Sequence, residues 1–299
     1  MLQLLSPRLT ASLFEISRIS VSLMILVIIF VPLERLFALH PQKILRKGVG
    51  TDLCYFFLSS LLPALVLSAP LGLVAWAVHL IIPGGFLAAT AAMPFWARAV
   101  TGMVAGEIGY YWGHRWSHEI PFLWGFHSIH HSAEHVDFLV GTRAHPVDLV
   151  FGRFCNYVPL YVLGLASPMS PSGSLIPIVV SVVGLVWGFF IHANVRWRLG
   201  PVEWLISTPA FHHWHHTKSG PINRNYASTL PWLDWIFGTH YLPNEWPTDY
   251  GIKGKLPDSL VGQLIHPLLD PPKPSLPQSR EPVSEIIDSV SDTNGTWIS

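Results

Sequence analysis

The chain has 299 residues, half of them hydrophobic and only 12% Asp, Glu, Lys or Arg, where soluble domains carry about 25% charged residues. This excludes an ordinary soluble enzyme and a disordered chain. Lysine plus arginine and aspartate plus glutamate number 18 each, so no basic excess grips a phosphate backbone and nucleic acid is excluded as a partner.

A hydrocarbon core of ~30 Å needs about 20 mostly apolar helical residues. Residues 19–33 lie between Arg18 and Glu34, whose side chains can snorkel from the ends of a first span. No small-residue cleavage site accompanies this run, so it is expected to be retained rather than removed as a signal. Residues 53–97 contain no Asp, Glu, Lys or Arg. They are too long for one straight span, but Pro63 and Pro70 can kink it and Pro83-Gly84-Gly85 supplies a turn. A further helix is predicted over 98–118. Residues 154–195 are again without those charges, and the turn-rich stretch 167–173 divides them into a hairpin of two spans. After Arg196 the chain is mixed polar and aromatic, and from Pro267 a Pro- and Ser-rich disordered tail is predicted.

The fold expected is an all-α integral membrane protein with four to five transmembrane helices. Cytoplasmic loops are enriched in Lys and Arg, and Arg35, Lys43, Arg46 and Lys47 mark one. With 53–82 as one kinked span, residues 114–148, Arg196 and Arg198 return to that same side. A re-entrant hairpin at 53–82 would change the sidedness.

Cys54 and Cys155 both lie in apolar runs and make neither a disulfide framework nor a thiolate metal site. The unusual count is 16 histidines. His114 and His118 are spaced i, i+4. His127, His130 and His131 are spaced i, i+3, i+4, and His212, His215 and His216 repeat that pattern. Residues three and four apart share a helix face, so each box is expected to aim its imidazoles at one point. Eight neutral imidazoles exceed the four ligands of one tetrahedral zinc and suggest two metals. An all-nitrogen shell on two irons with open positions for O2 suits oxidative chemistry.

The boxes and their surroundings resemble the fatty acid hydroxylase superfamily, also called the sterol desaturase family. Tyr110 to His118, Trp124 to Ser132 and Thr208 to Thr217 are similar to its three histidine boxes in order. Asn225-Tyr226, Trp232 to Asp234 and Phe237 to Thr239 resemble the close of its domain. The resemblance covers about residues 95–245. It implies N-terminal membrane helices over 1–94, a histidine-box catalytic domain over 95–245 and a C-terminal extension over 246–299. It also implies a membrane-bound non-haem diiron oxygenase acting on a C–H bond of a lipid. The metal ligands carried over are His114, His118, His127, His130, His131, His212, His215 and His216. The family's extra ligand between the second and third boxes falls on His192. The outcome is hydroxylation, with a sterol-type desaturase or methyl oxidase of the same family as the alternative. Electrons come from a separate donor, cytochrome b5 or a ferredoxin with its reductase, because no Rossmann fingerprint or fused haem segment is present. The metal site is expected at the cytoplasmic membrane face.

Glu107 precedes His114 by seven residues and shares its helix face. Its expected role is to hydrogen-bond a ligand imidazole, and the structural alternative is pairing with Arg98 or Arg115. His213 is off the box spacing and is expected to be structural or supporting. Arg143-Ala-His145-Pro146 resembles a supporting segment of the family. His131-Ser-Ala-Glu134-His135 also spells an inverted zinc-protease pattern, which leaves the other two boxes unexplained. A metal-storing or transporting protein is the remaining competitor. Asn294-Gly-Thr296 matches a glycosylation sequon and is read as chance.

Overall fold

The computed structural model describes residues 7–166 and 175–271, and these are helical apart from loops and two isolated β-bridges, Ala38 with Val195 and Thr217 with Tyr250. The helices in chain order are α1 (Pro7–Leu36), α2 (Val49–Val66), α3 (Ser68–Ile81), α4 (Gly84–Ala92), α5 (Phe95–Glu119), α6 (Pro121–His131), α7 (Pro146–Val162), α8 (Leu175–His192), α9 (Pro209–His215), α10 (Trp232–Ile236) and α11 (Leu260–Leu269). The turn expected at 167–173 and the sequon at Asn294 lie outside the described residues. The tail expected from Pro267 does not begin there, because Pro267 lies inside α11, and the rest of that expected tail, 272–299, lies outside the described residues. That helix is started by the Ser259 hydroxyl, which accepts from Gly262 N–H.

Three of the described helices are long and apolar enough to cross a membrane: Ser12–Leu36, Val49–Ile81 and Leu175–His192. The expected kink in the second falls at Leu67, between α2 and α3. Pro70 explains the position, because its ring has no N–H for the Val66 carbonyl and collides with it. The predicted spans at α5 and α7 are not among the three. α5 carries Arg98, Glu107, Arg115 and Glu119, while α7 has 17 residues and carries Asp148 and Arg153.

The site is positioned by close packing of α5 on α7. Gly106, Gly109 and Gly113 place bare backbone against α7. A Cβ added at Gly109 would collide with the Cys155 carbonyl, and one at Gly113 would lie 2.7 Å from Cys155 Cβ. Such small-residue stripes let helices approach where lipid gives no hydrophobic drive. α5 stops because Ile120 precedes a proline and takes extended backbone (φ −94°, ψ 117°). Pro121 then starts α6 at its first position, so the first two boxes sit on either side of a sharp corner.

A second anchor joins α1, α2 and α8. Phe30, Phe56, Phe138 and Phe189 form one buried cluster, with Phe30 and Phe138 stacked at 5.3 Å. Phe138 begins a 3-10 turn (Phe138–Thr142) whose N–H groups at Leu139 and Val140 are capped by Asp137. Asp137 is held in turn by Arg46, which also pairs with Asp52, and Asp52 pairs with Arg143. This buried ion network fixes the loop between α6 and α7.

Candidate metal centre

All three boxes and His192 meet at one place. Ring nitrogens of His114, His118, His127, His131 and His215 lie within 4.8 Å of one another, and those of His130, His192, His212 and His216 form a second such group. All nine side chains are buried. The two groups abut, with the His131 and His216 rings stacked at 4.5 Å.

The expectation that each box aims at one point is corrected. In the second box His127 and His131 enter the first group while His130 enters the second. In the third, His212 and His216 enter the second group while His215 enters the first. The reason is helical geometry. At 3.6 residues per turn, positions i and i+4 stay within about 40° of each other, while i+3 falls about 60° to the other side. One box therefore straddles two centres.

The hydrogen bonds assign the tautomers. The Nδ1 atoms of His114, His130, His192 and His215 face the carbonyls of Tyr226 (2.6 Å), Arg143 (3.1 Å), Gly188 (2.7 Å) and Arg224 (2.8 Å). Nδ1 of His127 faces Asp148 (3.0 Å), and Nδ1 of His118 faces the Asn223 side-chain oxygen (3.2 Å). These oxygens only accept, so each Nδ1 carries the proton and each neutral ring presents an Nε2 lone pair. Those lone pairs point at one another: His114 to His127 at 3.2 Å, His118 to His127 at 3.1 Å, His130 to His192 at 3.3 Å. Facing lone pairs repel unless a cation lies among them. Buried Nε2 atoms of His131 and His215 have no hydrogen-bond partner at all. The donor set therefore fits metal ions, and oxygen acceptors behind the rings are what metal-binding histidines ordinarily have. Burial holds the imidazoles of His130, His131, His212, His215 and His216 well below the usual imidazole range, as neighbouring rings also do. They stay neutral, the form that ligates.

The loop after α9 supplies several of the acceptors. Asn223 and Asn225 both have φ of 60°, a conformation that asparagine tolerates better than most residues. The Asn225 side chain bonds the backbone of Phe211 and Tyr241. Asp234 accepts from the N–H groups of Tyr226 and Ala227 and from Thr239. The closing motif thus holds the Arg224 and Tyr226 carbonyls against His215 and His114.

A model of the fatty acid hydroxylase family matches residues 99–239. Residues 99–239, which hold all nine clustered histidines, are thus similar to the fatty acid hydroxylase family. The ornithine lipid hydroxylase OlsE of Rhizobium tropici is 35% identical over 176 residues, 58% of this chain and 51% of its own. Human (Homo sapiens) alkylglycerol monooxygenase is 32% identical over 151 residues, 50% of this chain and 31% of its own. The very-long-chain aldehyde decarbonylase GL1-8 of Oryza sativa subsp. indica is 29% identical over 164 residues, 51% of this chain and 57% of its own. The chain thus spans about half or less of the two hydroxylating relatives. No solved structure gives a significant match.

Within the matched residues, Glu107 does not act as expected. Its carboxylate accepts from Ser228 Oγ (3.0 Å), Thr229 N–H (2.7 Å), Thr229 Oγ1 (2.6 Å) and Leu230 N–H (3.4 Å). It clamps the 228–230 loop instead of an imidazole or an arginine. The carboxylate that does reach a box histidine is Asp148, third residue of α7. Sequence reasoning stopped two residues short, at Pro146. The missed signal was an acidic residue at a helix N-terminus beside His145, whose ring caps Val147 N–H and so sets the start of α7. His213 points away from both groups, bonding Tyr250 OH at 2.8 Å and the Ala193 carbonyl at 3.1 Å. Glu134 and His135 belong to neither group and line a separate polar cavity with Arg46 and Arg143. The zinc-protease pattern therefore gathers no ligand set.

A cavity of about 220 Å³ opens beside the histidines. His114, His127, His130, His192 and His212 line it at one end. It continues between α5, α7 and α8 along Met103, Leu149, Val180 and Leu185.

Proposed function

We propose that the protein is a membrane-bound non-haem diiron oxidoreductase that uses O2 to hydroxylate a C–H bond of a lipid. The observation that carries this is the pair of buried histidine groups with inward Nε2 lone pairs, opening on a partly apolar cavity between helices. The lipid-hydroxylating relatives support it independently. His114, His118, His127, His131 and His215 would hold one iron, and His130, His192, His212 and His216 the other. Bound iron would supply O2 activation and the oxidant for an unactivated C–H bond.

The chain's own residues do the positioning. Asp148 keeps the proton on His127 Nδ1 and so keeps Nε2 free. The Arg143, Gly188, Arg224 and Tyr226 carbonyls do the same for their rings. Glu107 fixes the 228–230 loop as part of the cavity wall. α5, α7 and α8 exclude water from the lipid and orient its reacting carbon. Electrons enter from a separate protein, cytochrome b5 or a ferredoxin with its reductase. Residues 35–50, 119–147 and 197–266 lie on the cytoplasmic side, with 1–94 as membrane helices, 95–245 as the catalytic domain and 246–299 as an extension. The alternative on the same centre is a sterol-type desaturase or methyl oxidase.

The test is metal analysis joined to comparative lipidomics under 18O2 in cells with and without the protein. The expected result is close to two irons per chain and a lipid carrying one 18O atom. A single zinc, with no iron taken up under anaerobic loading, overturns the diiron reading. A lipid that loses two hydrogens without gaining 18O selects the desaturase.

A further inference from the structure

Arg153 is a charge on the cavity wall that no described residue answers. It lines the cavity together with Asp148, Leu149, Gly152 and Asn156, the stripe that α7 turns toward α5 and α8. Its Nε is buried and has no hydrogen-bond partner, and the guanidinium makes no ion pair among the described residues. The acids on the same wall are engaged elsewhere. Glu107 is filled by the 228–230 loop, and Asp148 accepts from His127 and Ser117. The side chain is half-buried, and a cation on a wall shared with Met103, Val180 and Leu185 is unfavourable unless something pairs with it. Its planar fork matches a carboxylate or phosphate.

We propose that Arg153 anchors an oxyanion, carboxylate or phosphate, carried by the lipid substrate. Five residues separate it from Asp148, the support of His127, or about 7.5 Å of helix rise. The carbon presented to the histidine groups therefore lies a short way along the molecule from its anionic group, not at the remote end of a long acyl chain. A neutral lipid of equal length leaves the guanidinium unpaired and binds less well.

This deepens the lipid-oxidation reading and rests on it, so the test reads binding without turnover. The whole chain, metal-loaded and in detergent without an electron donor, is titrated with laurate, dodecyl phosphate and methyl laurate. Wild type should bind at least one of the two anions about tenfold or more tighter than the ester, and Arg153→Met should bring all three within about twofold. Arg153→Lys should keep an intermediate preference. Arg153→Met should melt no lower than wild type, since it removes a charge with no ion-pair partner among the described residues. A preference for laurate alone or for dodecyl phosphate alone identifies which oxyanion the site takes. Equal affinity of wild type for all three probes overturns the proposal. So does an Arg153→Met protein that keeps the preference, or one that melts lower and loses the ester as well. An 18O-labelled lipid product without any anion preference removes the anchor and leaves the oxidation reading. An anion preference without labelled product does the reverse.

Discussion

A carboxylate near a histidine matters through the ring nitrogen it reaches. Asp148 touches Nδ1 of His127, whose Nε2 is shared by both His114 and His118 contacts. Asp148→Asn should lower iron affinity by about 10–100-fold, the usual loss for an outer hydrogen-bond partner, measured by competition with a chelator. Glu107→Gln acts differently. It turns an amide donor toward the donors of Ser228 and Thr229, so it should lower unfolding stability by about 1–3 kcal/mol while iron affinity changes less than for Asp148→Asn. If Glu107→Gln loses iron and Asp148→Asn keeps it, the assignment of the two acids is reversed. His130→Ala and His215→Ala should abolish activity and lower bound iron. His213→Ala should cost stability with less effect on iron, because its ring bonds Tyr250 and Ala193. The histidines were legible because their spacing is a local property of a helix. Glu107 was misread for a related reason: spacing puts it on the face of His114, but its partner comes from a loop 121 residues away.

Helix α5 carries the first box and α7 carries Asp148, so their separation sets one of the histidine supports. Gly109 is where the two backbones meet. Gly109→Ala drives a Cβ into the Cys155 carbonyl, which backbone cannot yield without moving a helix. Overpacking of this kind costs about 1–3 kcal/mol. The expected result is a lower melting temperature and reduced bound iron, and both effects should grow with Gly109→Val. Gly72→Ala in α3, where nothing lies within 4 Å of an added Cβ, should be neutral or slightly stabilising. Equal behaviour of the two alanine variants would remove close packing as the reason for glycine at 109. At this scale the sequence told less. The kink near Pro63 and Pro70 followed from proline chemistry; the corner at Pro121 rests on the same chemistry but was not read from the sequence. The split of each later box between two groups did not, because it depends on which neighbour each helix face meets. The ordered α11 was missed because Pro267 read as the start of a tail, although Ser259 already offered a cap.

The whole molecule brings together histidines spread from residue 114 to residue 216, so all boxes must open on one side of the membrane. Single cysteines placed in 35–50, 119–147 or 197–266, in a background with Cys54 and Cys155 replaced, should react with an impermeant thiol reagent only after the membrane is opened. Labelling of the 119–147 loop from outside would overturn that sidedness.

The same convergence makes stability depend on the metal. Three separate pieces supply the rings: the α5–α6 corner, the end of α8, and α9, a helix of only seven residues. Too short to be stable alone, α9 is held by its neighbours, by the Thr208 cap and by whatever its histidines bind. In the stripped protein the Nε2 lone pairs of His114, His118 and His127 face one another at 3.1–3.2 Å, and nothing offsets their repulsion. Bound metal stabilises the native state by mass action, about 2.7 kcal/mol at a concentration 100 times the dissociation constant. Chelation should therefore lower the melting temperature, and anaerobic iron should restore it. The loss should be local as well. Hydrogen exchange should speed up in α6, α9 and the 223–227 loop, while α2 and α3, which carry none of the nine histidines, should be unchanged. A stripped protein that melts and exchanges like the loaded one would mean that the histidine groups are held by packing alone, and the metal centre would have to be abandoned.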